Sequence, residues 1–151
     1  MDQLLKEKIY GAFGLLLANK IADLQKRIAD LQESAASETK SSAGDKFETA
    51  RAMFHREQEQ TNRQLATLLE QRLVFQKIDI AVTSGKIIPG SLALTNRGYF
   101  FISIALGKLQ IDGEIIIAVS PQAPLGKALM GMSAGEKVTV NEMEYLVENI
   151  S

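Results

Sequence analysis

Between residues 17 and 31 the apolar side chains fall at Leu17, Ile21, Leu24, Ile28 and Leu31, in alternating steps of four and three. That spacing keeps one narrow stripe turned toward a partner helix for about two heptads. Asn19, Lys20, Asp23, Gln25, Lys26, Arg27 and Asp30 fill the positions between and form a solvated outer face. The run "ESAASETKSSAGD" (33–45) then loses the stripe and fills with Ser, Ala and Gly. A second helical pattern begins at Phe47 and continues through Ala50, Phe54, polar Glu57 and Thr61, then Leu65, Leu68 and Phe75. Two long helices with one stripe each, joined by a polar tip, predict an antiparallel coiled-coil hairpin. At 1.5 Å per residue, helices of about 28–32 residues give an arm of roughly 40–50 Å. The stripe is narrower than the apolar face of a bundle helix, so a finger is expected. A dimeric coiled coil, part of a larger bundle, or a plain coiled-coil adaptor are the alternatives.

The second half has another character. All three prolines, Pro89, Pro121 and Pro124, lie there, with most of the glycines and the Ile/Val clusters. This shift sets the expected domains at 1–77 for the hairpin, with its tip at about 34–48, and 78–151 for the rest. "SGK", "PG" and "NRG" punctuate short β-rich runs, of which "GYFFISIA" and "EIIIAVS" are almost continuous. "KVTVNEMEYLVENI" alternates as two strands around "NE". Leu125 to Met130 reads as a short helix, with Pro124 at its start and Gly131 at its end. About five strands and one helix make an α+β domain of roughly 70 residues, near the lower limit for an independent core. It is therefore expected to pack on the base of the hairpin.

Composition excludes several function classes. Free-standing duplex binding normally needs a basic face, and with a net charge of −1 no direct binding of DNA is expected. With no cysteine and one histidine, His55, disulfides, thiolate metal sites and multi-histidine zinc sites are out. The absence of cysteine suits a reducing cytoplasm. The apolar run Ile9 to Ala18 follows Lys6 and Lys8 like a signal-peptide core, but it is too short to span a bilayer and continues at helical spacing. A soluble cytoplasmic monomer with no membrane contact is expected.

Asp45 and Glu48 stand where the polar tip becomes the second helix. Two readings fit them. As an N-cap and its partner three residues on, they match capping-box spacing and would contribute about 1 kcal/mol. As two carboxylates on one face, they suit Mg²⁺, which takes oxygen ligands and keeps several waters. His55 and the arginines Arg51 and Arg56 fit a solvated helix face.

The run "SPQAPLGKALMGMSAGEKVTV…EYLVENI" is similar to the C-terminal signature of the Gre transcript-cleavage and elongation factors. That signature has a serine-proline, a short helix around Arg/Lys-Ala-Leu, a glycine, a Gly-Asp/Glu turn and two closing strands. Here these are Ser120-Pro121 (or Pro124), Lys127-Ala128-Leu129, Gly131, Gly135-Glu136, 138–140 and 145–150. The tip resembles the family's Gly-Asp-x-x-Glu-Asn-Ala-Glu motif through Gly44, Asp45, Glu48 and Ala50, with Arg56 and Glu57 following. Thr49 stands where the family has Asn, and Arg51 where it has an acid. The resemblance implies an FKBP-like antiparallel C-terminal domain and a hairpin that enters the secondary channel of bacterial RNA polymerase. It implies that Asp45 and Glu48 help hold a second Mg²⁺ in the polymerase active centre, stimulating cleavage of RNA near a backtracked 3′ end. The factor would then be no enzyme itself. Arg51, Arg56, Ser120, Pro121 and Lys127 are the candidate partner-binding residues. A secondary-channel regulator or inhibitor without cleavage stimulation is the alternative that Arg51 leaves. A prolyl isomerase, suggested by the FKBP likeness, would need an aromatic-lined pocket from Tyr99, Phe100, Phe101 and Tyr145.

Overall fold

The computed structural model describes residues 2–41 and 45–151, with the side chains of Asp2, 37–41 and 45–47 left aside. Two long helices come first, α1 (Asp2–Ser41) and α2 (Asp45–Gln76). Six strands and a short helix follow: β1 (Leu92–Thr95), β2 (Gly98–Ile102), β3 (Gly107–Ile111), β4 (Glu114–Val119), α3 (Pro124–Leu129), β5 (Lys137–Val140) and β6 (Met143–Ile150). The chain is α+β, as expected. Helix α1 continues through the Ser/Ala-rich stretch as far as Ser41, beyond the start expected for the tip.

Contacts divide the chain into two compact units: Leu16–Arg72, and the residues up to Leu15 together with Leu73–Ser151. The first turns of α1 fall in the same unit as the sheet. There Phe13 stacks on Phe101 with ring centroids 6.2 Å apart, and Tyr10 stacks on Phe75 at 4.4 Å. Gly14 lies beside the Phe75 ring, where a Cβ would make an ordinary contact at 3.4 Å.

The sheet order is β3-β4-β2-β1-β6-β5. Here the expectation of a five-stranded antiparallel domain is corrected on two points. There are six described strands, and β2 pairs with β4 in parallel, Tyr99 opposite Ile116 and Ile102 opposite Val119. The cause is the hairpin β3–β4, turned by Asp112 (φ 52°) and Gly113 (φ 81°), a left-handed pair suited to a two-residue loop. The chain leaves β2, runs out to the edge as β3, and returns as β4 between them.

Successive residues of β2 face opposite sides. Phe100 and Ile102 join a buried cluster with Ile87, Ala93, Leu129, Met132, Tyr145 and Val147, beneath α3. Phe101 lies on the other face, with Ile116 and Ala118 beside it and Phe13 above it. Phe100 and Tyr145 meet edge to face at 5.9 Å, and the Arg97 guanidinium lies 5.5 Å over the Tyr145 ring. These aromatics fill the core.

Within Leu16–Arg72, Arg27 pairs with Glu57, and Leu24 lines the same shallow cavity as Leu68, so the helices run antiparallel. The α2 portion, 45–72, is about 42 Å long at 1.5 Å per residue. Among the described residues of this unit, the buried ones are Leu17, Ile21, Leu31 and, unexpectedly, Thr61. Thr61 tolerates burial because its hydroxyl donates to the Glu57 carbonyl one turn back, at 2.8 Å.

Candidate functional site

The candidate residues form two sets, one in each unit. In the hairpin, α2 begins at Asp45, whose side chain lies outside the described residues. Glu48 is exposed on the first turn, and Arg51 and His55 are exposed on the next two. At helical spacing of three and seven residues, Glu48, Arg51 and His55 share one face. Arg56 is exposed and, with Gln60, Arg63, Gln64 and Thr67, lines a shallow cavity of about 490 Å³. Phe54 is half-buried toward the seam, whereas Met53 is 66% exposed.

The polar break in the α2 stripe is filled by chemistry that spacing did not reveal. Glu57 is half-buried and takes a hydrogen bond from the Arg27 guanidinium of α1. The signal was the interruption itself: a carboxylate at a seam position calls for a cation on the facing helix.

In the sheet unit, Ser120, Pro121 and Lys127 are gathered around the start of α3. The Ser120 hydroxyl donates to Gln122 Oε1 at 2.5 Å and accepts from the Gln122 amide at 3.2 Å. The Ser120 carbonyl accepts from the Ala123 amide at 3.1 Å, closing the turn before the helix. Gly126 sits directly under this turn, where a Cβ would come within 1.9 Å of the Ser120 oxygen. Helix α3 then ends as the Met130 amide reaches Gly126 O, and Gly131 takes a φ of 80° that allows the turn away. Ser120 and Pro121 are half-buried, and Lys127 is exposed.

Among the described residues, two titratable groups are displaced by burial, both at the foot of α1. Burial pushes the Lys6 amine below its ordinary value, partly opposed by the negative charge of Asp79. Burial raises the Tyr10 hydroxyl, which donates to the Phe75 carbonyl at 2.9 Å. Lys6 was passed over in the sequence although it continues the stripe of Ile9 and Phe13 at steps of three and four.

The tip pair offers hard oxygen donors of the type Mg²⁺ prefers, but only two of them, which suits an ion shared with another protein. Among the described residues no group of three or more His, Cys, Asp or Glu is placed to hold a metal. Among them, too, no helix is long and apolar enough to cross a membrane. No protein-family model, curated protein or solved structure matches the chain.

Proposed function

We propose that this chain is a Gre-like transcription elongation factor that engages bacterial RNA polymerase through its secondary channel and stimulates cleavage of backtracked RNA. One observation carries the reading. A helical hairpin whose second helix begins at Asp45 occurs in the same chain as a sheet unit with the Ser120–Pro121 turn, short helix, glycine and two closing strands. Either feature alone is common; their order and spacing together are what the resemblance rests on.

In this reading the hairpin positions and the polymerase reacts. Asp45 and Glu48 bring carboxylate oxygens on a slender support that fits a narrow passage. The second Mg²⁺, held jointly with polymerase, would supply Lewis acidity and a bound water at the phosphodiester. Glu48 is exposed before insertion. Arg51, one turn on, brings a positive charge toward the RNA phosphates, and Arg56 meets acids of the channel. Ser120, Pro121 and Lys127 form the polymerase-docking edge of the sheet unit. The chain contributes no complete catalytic site of its own. Its partner is polymerase in the cytoplasm, and it acts as a monomer.

The test is a stalled, backtracked bacterial elongation complex with Mg²⁺, followed for release of the 3′ RNA fragment. Addition of the protein is expected to accelerate release, and Asp45→Asn or Glu48→Gln to return it to the rate of polymerase alone. The exposed Arg51 beside Glu48 favours a second reading, a regulator that occupies the channel without promoting cleavage. Binding with slowed elongation and no fragment release would support that reading. Absence of any binding would remove polymerase as the partner.

A further inference from the structure

Between α2 and β1 the chain runs for fifteen residues, 77–91, without helix or strand. Connections of that length are uncommon inside a compact unit and are usually functional loops. The two ends of this one are held very differently. From Lys86 onward it is built into the core. Ile87 is fully buried, its amide donates to Met132 O at 2.9 Å, and its carbonyl accepts from Gly131 at 2.8 Å. The Gly90 amide donates to Ile102 O at 2.7 Å.

Residues 80–85 have no such anchorage. Their hydrogen bonds are local, from the Ala81 amide to Asp79 Oδ1 and from the Lys86 amide to Ser84 Oγ. Ala81, Val82, Thr83 and Gly85 are exposed, with Val82 at 49%. Among the described residues, one hydrogen bond joins this stretch to another element: Lys6 Nζ to the Val82 carbonyl, at 3.5 Å.

Lys6 is an unusual group to find there. It is 0% exposed and occupies a position of the α1 stripe that Ile9 and Phe13 continue. A buried ammonium normally requires a close carboxylate, because its lost hydration is costly. Lys6 has a long carbonyl contact and the more distant charge of Asp79. An apolar side chain would fill the same space without that cost, but it would offer the strap no donor. What the lysine adds is direction, since its ammonium draws one carbonyl of the strap onto the helix.

We infer that Lys6 is a latch that holds residues 80–85 against α1, and that this strap opens while the sheet beneath it stays folded. Opening breaks the carbonyl contact and only partly repays it by rehydrating the ammonium, so the open strap is a minor state that the folded sheet permits. The inference is independent of the polymerase reading.

Native-state proteolysis of the full chain tests it, with thermolysin cutting before Val82 and mass spectrometry reading the fragments. Lys6→Met is expected to raise cleavage within 80–85 about tenfold, the worth of one charged hydrogen bond, with Tm unchanged or higher. Unchanged strap cleavage in that variant would overturn the latch. So would a lower Tm with cleavage spread through the sheet, which would make Lys6 a packing residue only. If the variant does not fold, amine acylation of the wild-type protein decides. Lys6 should label more slowly than exposed Lys137, and its rate should rise in urea well below the unfolding midpoint, in step with strap cleavage. Labelling at the rate of Lys137, or labelling only on global unfolding, would sink the proposal.

Discussion

The sheet unit and the hairpin are stabilised by different means. In the sheet unit apolar residues cover both faces: Ile87, Phe100, Ile102, Leu129 and Val147 on one, Phe101 and Ile116 with Ile9 and Phe13 on the other. In the hairpin, Leu17, Ile21, Leu31 and Thr61 are the buried residues among those described, and one of the four is polar. A sheet core is cooperative, because each side chain is held by several neighbours. A two-helix seam is closer to a series of local contacts, so most of its surface is left free for other purposes.

The contrast can be broken most directly by truncating one buried residue in each unit. Phe101→Ala, at 0% exposure and stacked on Phe13, is expected to cost about 3–5 kcal/mol and to unfold the sheet unit cooperatively. Ile21→Ala in the hairpin should fall near the lower end of the range for such truncations, about 2 kcal/mol, because the seam has fewer neighbours to leave uncompensated. Denaturant unfolding followed by far-ultraviolet circular dichroism measures both. Equal losses would mean that the hairpin is as tightly packed as the sheet.

A smaller effect is expected at the turn that carries Ser120 and Pro121. Gly126→Ala places a methyl within 1.9 Å of the Ser120 carbonyl, a backbone atom that moves only if the turn moves. The expected cost is about 1–3 kcal/mol, the range for an overpacked core. In an elongation complex the same variant should weaken polymerase binding without altering the hairpin. A variant with full stability and full binding would show that the turn is neither tight nor part of the docking edge.

How far sequence predicted structure also differs between the two units. The hairpin was legible because Leu17, Ile21, Leu24, Ile28 and Leu31 repeat at a spacing only helices use. The strands at "GYFFI" and "EIIIAV" were legible as runs of β-branched and aromatic residues. Strand β3, "GKLQI", was not, because an edge strand buries little and so carries little apolar signal. Missing β3 concealed the parallel pairing of β2 with β4. At the candidate site, the position of Asp45 at the start of α2 could be read from the loss and return of helical pattern. The Arg27–Glu57 pair was legible only in half: the polar break at Glu57 called for a cation on the facing helix, but nothing in one sequence picks out Arg27, thirty positions away. Lys6 escaped because a lysine is ordinarily counted with the solvent, whatever stripe it lies on.

The finest test concerns that cross-helix pair. Arg27 and Glu57 are 58% and 43% exposed at the side chain, so water and salt screen them. Exposed pairs of this kind contribute about 0.2–1 kcal/mol, and Arg27→Ala is expected to cost no more than that. Its value lies in the dependence on salt. If Glu57 is tolerated at a seam position because Arg27 answers it, the loss should shrink as ionic strength rises and Glu57→Leu should stabilise the hairpin in the Arg27→Ala background. A double-mutant cycle at low and high salt separates the coupling from the packing of the arginine stem. Were Glu57→Leu destabilising there, the seam at this level would be a polar layer that the hairpin requires. The difference between the sparse hairpin and the continuous sheet core would then be one of kind as well as of density.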